Sequence, residues 1–110
     1  MQIKDEYLER NVFYGLTNLN TGFDSPSIKY FSAEDFEIIL NRVKRLGLGI
    51  FGIEPWKDGA FYSVKVYEHY TNDPTEYNWY MSAFISFKNE DENLQYSASY
   101  FVPEGLLNKG

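Results

Sequence analysis

The most regular pattern in the chain is the helical spacing of Phe36, Ile39, Leu40, Val43 and Leu46, an apolar stripe that predicts a helix over residues 33–46. Its ends are marked. Ser32 is placed to accept from a first-turn N–H, and Glu34, Asp35 and Glu37 sit where the helix dipole favours carboxylates. Arg42, Lys44 and Arg45 crowd the other end, and Gly47 supplies a left-handed stop. Elsewhere the period is two. Tyr62, Val64, Val66 and Tyr70 alternate through residues 61–70, and Trp79, Met81, Ala83, Ile85 and Phe87 through a long strand around them. Leu94, Tyr96, Ala98, Tyr100 and Val102 give a last strand that stops at Pro103. A shorter strand over 49–54 ends at Pro55, and Lys57-Asp58-Gly59 reads as a turn in which Gly59 takes a positive φ. Residues 2–10 read as a short helix and 12–16 as a short strand. Residues 17–27 carry the Asn, Thr, Gly, Asp, Ser and Pro of a long loop, 71–75 and 89–93 of polar connections, and 105–108 of a terminal turn.

Strands joined by short connections pair antiparallel. The expected fold is therefore α+β: an antiparallel four-stranded β-meander packed on one main α-helix, with a short N-terminal helix or strand. At 110 residues the chain is expected to form a single domain, 1–110, with one core.

A sheet covered on one face should turn polar residues to the other. Here the outward set includes Phe61, Tyr67, Tyr80, Phe84 and Phe101 among Ser63, Lys65, Ser82, Ser86, Ser97 and Ser99. Aromatic rings among small serines predict a shallow recognition surface, unless the N-terminal segment or the 17–27 loop folds over it. The aromatic share of 19% fits this, since such residues favour pleated surfaces. Net charge is −6 and the isoelectric point about 4.7. That disfavours direct binding to nucleic acid or anionic membrane and favours a basic partner.

Little in the chain points to catalysis. With no cysteine there is no disulfide, thiol nucleophile or Cys-based zinc site. His69 is the one histidine, and its neighbour Glu68 would lie on the opposite face of a strand. No metal-ligand spacing, nucleophile elbow or phosphate loop occurs. Gly47-Leu48-Gly49 follows a helix and enters a strand, the reverse of the order a phosphate site needs. No cofactor is expected and the chain is read as a non-enzyme. The charged start of the chain reads as no signal peptide and no apolar run is long enough to span a membrane, so the expected location is cytoplasmic.

Gly52-Ile53-Glu54-Pro55-Trp56 is the most distinctive segment, with a Trp at a rigid corner. Trp at a corner suits an interface anchor, and the acidic turn Glu90-Asp91-Glu92 suits a charged rim. The expected contact residues are Glu54, Trp56, Asp58, Tyr67, Tyr80, Glu90, Asp91 and Glu92.

Residues 31–36 (Phe-Ser-Ala-Glu-Asp-Phe) with their helix, residues 49–56 ending in Glu-Pro-Trp, and Asn78-Trp79-Tyr80 resemble small bacterial immunity proteins. These are the cognate inhibitors of polymorphic and contact-dependent growth-inhibition toxins. The resemblance spans roughly residues 28–103. It implies a cytoplasmic, monomeric or weakly dimeric protein that binds and neutralises a cognate toxin, often a basic nuclease domain. An accessory structural subunit, homo-oligomeric through the sheet edge, is a further reading, and two others stand beside these. One is a small-ligand-binding or enzymatic domain with an aromatic pocket between the sheet and the 17–27 loop, near His69 or Tyr70. The other is a mimic of nucleic-acid charge, against which the scattered acids argue.

Overall fold

The computed structural model describes residues 3–107. In chain order it contains α1 (Ile3–Asn11), α2 (Ala33–Leu46), β1 (Gly49–Lys57), β2 (Ala60–Phe61), β3 (Lys65–Val66), a 3-10 turn (Tyr67–His69), α3 (Tyr77–Glu90), β4 (Gln95–Phe101) and α4 (Glu104–Leu107). The architecture is α+β with a four-stranded antiparallel sheet.

Helix α2 forms as its sequence dictates. The Asp35 amide donates to Ser32 Oγ at 3.1 Å, and Gly47 at φ 73° closes the other end. There the Gly47 amide reaches the Lys44 carbonyl and the Leu48 amide the Val43 carbonyl, so two otherwise orphaned acceptors are satisfied.

Residues 77–90 differ from the sequence expectation. They form helix α3, not a strand. The buried residues are Trp79, Tyr80, Ala83, Phe84 and Phe87, a helical series with steps of one, three, one and three. The alternation through Trp79, Met81, Ala83, Ile85 and Phe87 is a coincidence of composition, and Ile85 is half exposed. The predicted strand over 12–16 is likewise absent. The amides of Val12 and Phe13 both donate to the Leu8 carbonyl as α1 ends, and Arg42 Nη1 donates to the carbonyls of Val12 and Tyr14 at 2.9 and 2.8 Å. A charged fork from α2 thus holds this segment as a turn.

Strand β1 is the centre of the sheet, so the strands do not follow chain order as a meander would. Along one side it pairs with β4 from Gly49↔Phe101 to Trp56↔Gln95, with a register shift between Ile50 and Gly52. Along the other it pairs with β2 (Trp56↔Phe61) and β3 (Ile53↔Lys65). Asp58 and Gly59, at φ 51° and 79°, make the tight hairpin turn between β1 and β2.

The strand runs on through Pro55 rather than ending there, and the reason lies opposite it. Proline has no N–H to give the ladder. The predicted strand over 61–70 is broken at this point into β2 and β3, and the amides of Tyr62 and Ser63 both turn onto the Pro55 carbonyl at 3.1 and 3.3 Å. The interruption removes the acceptor that Pro55 cannot serve. After β3 the chain turns into the 3-10 segment, so the alternation to Tyr70 does not continue as strand.

Helices α2 and α3 cover the same face of the sheet. The Tyr96 ring of β4 stacks on Phe36 (5.0 Å, 11°) and takes the edge of Phe84 (5.1 Å), which fixes both helices over one strand. Trp79 Nε1 donates to the Ile50 carbonyl at 3.1 Å in the interior, tying α3 to β1. On the opposite face the 17–27 loop packs over one end of the sheet. Asn20 Nδ2 donates to the carbonyls of Ser25 and Ile28, which fixes the loop's shape, and Phe31 bridges to Tyr96 at the outer edge of β4.

Candidate functional site

Residues two apart in a strand share a face, so β1 turns Glu54 and Trp56 the same way, away from α2 and α3. Trp56 Nε1 donates to Glu54 Oε2 at 2.8 Å. The indole packs against Tyr30 and Phe23, with ring centres 5.3 and 5.7 Å away, so the rigid corner anticipated at Trp56 is built by the 17–27 loop and its flank. Tyr30 is buried, and its hydroxyl donates to Asp24. Burial first, and then the Asp24 carboxylate, push the Tyr30 hydroxyl well above the ordinary tyrosine range, so it remains a donor. Ser97 Oγ donates to the Glu54 carbonyl at 3.0 Å and closes the cluster from β4.

The β1–β2 turn and the connection from α3 to β4 meet at this end of the sheet, because Trp56 pairs with Gln95 just after that connection. Asp58 is exposed on the turn. Tyr62 donates to Glu90 Oε1 at 2.9 Å, and this bond raises the tyrosine pKa. Lys57 Nζ donates to Asp91 Oδ2, which holds the Asp91 carboxyl below its ordinary range. Glu92 is exposed beside it. Phe61, 58% exposed, lies directly across from Trp56 in the β1–β2 register and adds an apolar surface at this end of the sheet, on the face of Trp56.

Six of the expected contact residues (Glu54, Trp56, Asp58, Glu90, Asp91 and Glu92) are thus brought to one end of the molecule. Two are not. Tyr80 is fully buried on α3, where burial pushes its hydroxyl up to about 12. Phe84, expected on the same outer face, is core as well. Tyr67 lies elsewhere on the outer face, 6.0 Å from Phe51, whose ring also meets Phe101 at 5.9 Å. The sequence reading missed Asp24, Tyr30 and Tyr62. Aromatic residues flanking a polar loop, Phe23 and Tyr30, were the signal for the first two.

The acids of this end are set apart by aromatic donors; elsewhere Asp35, Asp73 and Glu76 accept from Thr17, Thr75 and Thr71, and other acids pair with bases. Glu6, Glu9 and Glu37 are bonded to Arg10, Lys29 and Lys88. Glu54, Glu90 and Asp24 are bonded to the neutral donors of Trp56, Tyr62 and Tyr30. A neutral donor fixes a carboxylate without cancelling its charge. Only Asp91 of this group is matched with a base, Lys57.

His69 lies exposed in the 3-10 turn. A cavity of about 500 Å3 opens beside β4, and one of about 350 Å3 lies between α1 and α4. Neither is lined by His69 or Tyr70. Among the described residues no group of three or more His, Asp or Glu side chains is placed to hold a metal ion, and no helix is long and apolar enough to cross a membrane. Comparison with family models, with curated proteins and with solved structures gave no match.

Proposed function

We propose that the chain is a protein-binding inhibitor that docks a basic partner on its acidic end. The observation that carries this is the set of carboxylates Glu54, Glu90 and Asp24 at one end of the sheet, each fixed by a neutral aromatic donor, with the exposed Phe61 ring across from Trp56. Held but uncancelled charge steers a basic surface into contact, and side chains already fixed lose less entropy when it arrives. An aromatic anchor with a charged rim is the usual anatomy of a tight interface. The same features agree with the immunity-protein resemblance. On that reading the partner is a cognate toxin, a basic nuclease domain whose active site or neighbouring surface is covered in the cytoplasm.

The test is affinity capture of the tagged chain from its native lysate at moderate salt. A single stoichiometric basic protein is expected, one whose growth-arresting activity the chain blocks. Glu54→Lys with Glu90→Lys should weaken that complex tenfold or more, mainly through slower association. Trp56→Phe, which keeps an aromatic ring but loses the donor, should cost roughly two- to tenfold, the worth of one immobilised side chain. Unchanged affinity and salt dependence in the charge-reversed variant would overturn the proposal.

A further inference from the structure

A different part of the molecule, the outer edge of β4, is paired at one point. Tyr96 exchanges two main-chain hydrogen bonds with Phe31, at 2.9 and 2.7 Å, on the side of β4 that faces away from β1. Residues two apart in a strand aim their N–H and C=O groups the same way. Ala98 and Tyr100 therefore present theirs along this same edge, beyond the point where Phe31 leaves it. Among the described residues no main-chain partner meets them.

This edge forms the floor of the cavity of about 500 Å3. One wall is α1, with Leu8, and the turn after it, with Phe13. The other is the stretch leading into Phe31, with Ile28 and Lys29. Ile28 is 37% exposed. The Lys29–Glu9 ion pair, at 2.8 Å, joins the two walls. Unpaired strand groups next to walls that carry Leu8, Phe13 and Ile28 ask for a particular occupant. It must supply a donor and an acceptor at strand spacing, and apolar side chains at alternate positions.

We propose that this groove receives an extended segment of a partner chain, which adds to β4 as a short edge strand in continuation of the Phe31 bridge. A second copy of this chain is a poor occupant. Its own β4 edge lies between the same two walls, and two recessed edges cannot reach each other. The recess also shields the edge from open-ended sheet growth. The walls are balanced in charge, Lys4 and Lys29 against Asp5 and Glu9, in a chain of net charge −6. Recognition here depends on main-chain pairing and apolar side chains, and little on salt. It is independent of the acidic end.

A phage-displayed library of random linear dodecapeptides, panned on the whole chain at 0.5 M salt (roughly a 4 Å screening length), tests this. The counter-target is Ala98→Pro. That change deletes the groove-facing N–H and none of the bonds between β4 and β1. Recovered peptides should carry apolar residues at alternate positions. They should bind the native chain at least tenfold more tightly than either Ala98→Pro or Ile28→Asp, a wall variant at a partly exposed position. Glu54→Lys should bind them as the native chain does, which separates this outcome from that of the acidic-end proposal. In amide exchange they should protect Ala98 and Tyr100. The proposal is overturned if no recovered peptide distinguishes the native chain from both variants, or if bound peptides leave those amides unprotected. Protection that grows with protein concentration alone would also overturn it, in favour of a second copy.

Discussion

Tyr96 and Tyr30 are both fully buried, yet their hydroxyls meet opposite fates. The Tyr30 hydroxyl donates to Asp24, and that of Tyr96 has no hydrogen-bond partner among the described residues. The same substitution should therefore have opposite signs at the two sites. A buried hydroxyl left unpaired costs roughly 1–3 kcal/mol. Tyr96→Phe removes that cost and leaves a void of roughly 10 Å3, which at about 24 cal/mol per Å3 costs only about 0.2 kcal/mol. The ring keeps its stacking on Phe36 and its contact with Phe84. A net gain of about 1 kcal/mol follows, or about 4 °C in Tm for a chain of this length. Tyr30→Phe loses a hydrogen bond to a charged acceptor, worth about 1.5–3 kcal/mol in general. Asp24 is partly in water, so the expected loss is about 1–2 kcal/mol. Urea titration of both variants against the native chain, at pH 7 and with the m-value checked for constancy, measures the difference. A loss of 1 kcal/mol or more in Tyr96→Phe would mean that the hydroxyl has a partner such as a buried water, and the reasoning would fail.

Three further outcomes follow from single contacts. Ser32→Ala should cost about 1 kcal/mol by removing the acceptor for the Asp35 amide, and Ser32→Asp should recover most of it; chemical denaturation reads both. Gly49→Ala places a Cβ 2.8 Å from the Pro74 main chain, so it should destabilise by about 1–3 kcal/mol and lower the denaturation midpoint, whereas a neutral result would show that the 71–75 loop yields freely. Asp91 is held below its ordinary range chiefly by Lys57, so its contribution is present above the unfolded carboxyl pKa and is lost as pH falls through the lower folded value; Lys57→Gln should flatten the fall in stability below about pH 4 and leave the neutral-pH slope unchanged.

The parts of the fold legible in the sequence are those where a local signal and tertiary demand agree. Helix α2 has an apolar stripe, an N-cap and a glycine stop, and all three hold. The Asp58-Gly59 turn and strand β4 were legible for the same reason. Helix α3 was misread because every second residue from Trp79 to Phe87 is apolar, while Tyr80 and Phe84 were left over. Those two leftovers were then assigned to an outer aromatic face. They mark the error, since Trp79, Tyr80, Ala83 and Phe84 satisfy a period of 3.6 with no aromatic unexplained. Pro55 misled in the other direction. Its missing N–H was read as the end of the strand, but the break between β2 and β3 that lets the strand run on depends on residues six to nine positions away.

The candidate site shows the same division. Glu54 and Trp56 were legible because strand spacing alone puts them on one face. What holds Glu54 in place was half legible, since the Trp56 donor is local and the loop that pins the indole is not. The partnering of acids could not be read from the sequence at all. Ten Lys and Arg residues for sixteen acids predict an excess of negative charge but not its location. In the fold, lysine and arginine neutralise acids on α1 and α2, while aromatic donors serve the acids around β1, the 17–27 loop and the end of α3. Solubility would be met equally well by acids spread at random and left mobile. Three ordered carboxylates, each using a Trp or Tyr donor and placed at the end of the sheet that carries the exposed Phe61 ring, go beyond what solubility requires and suit recognition of a basic surface. The groove along β4 has the opposite character, with its charges balanced and its main-chain groups unpaired. The two surfaces should therefore respond differently to salt, and salt titration separates them in any complex the chain forms.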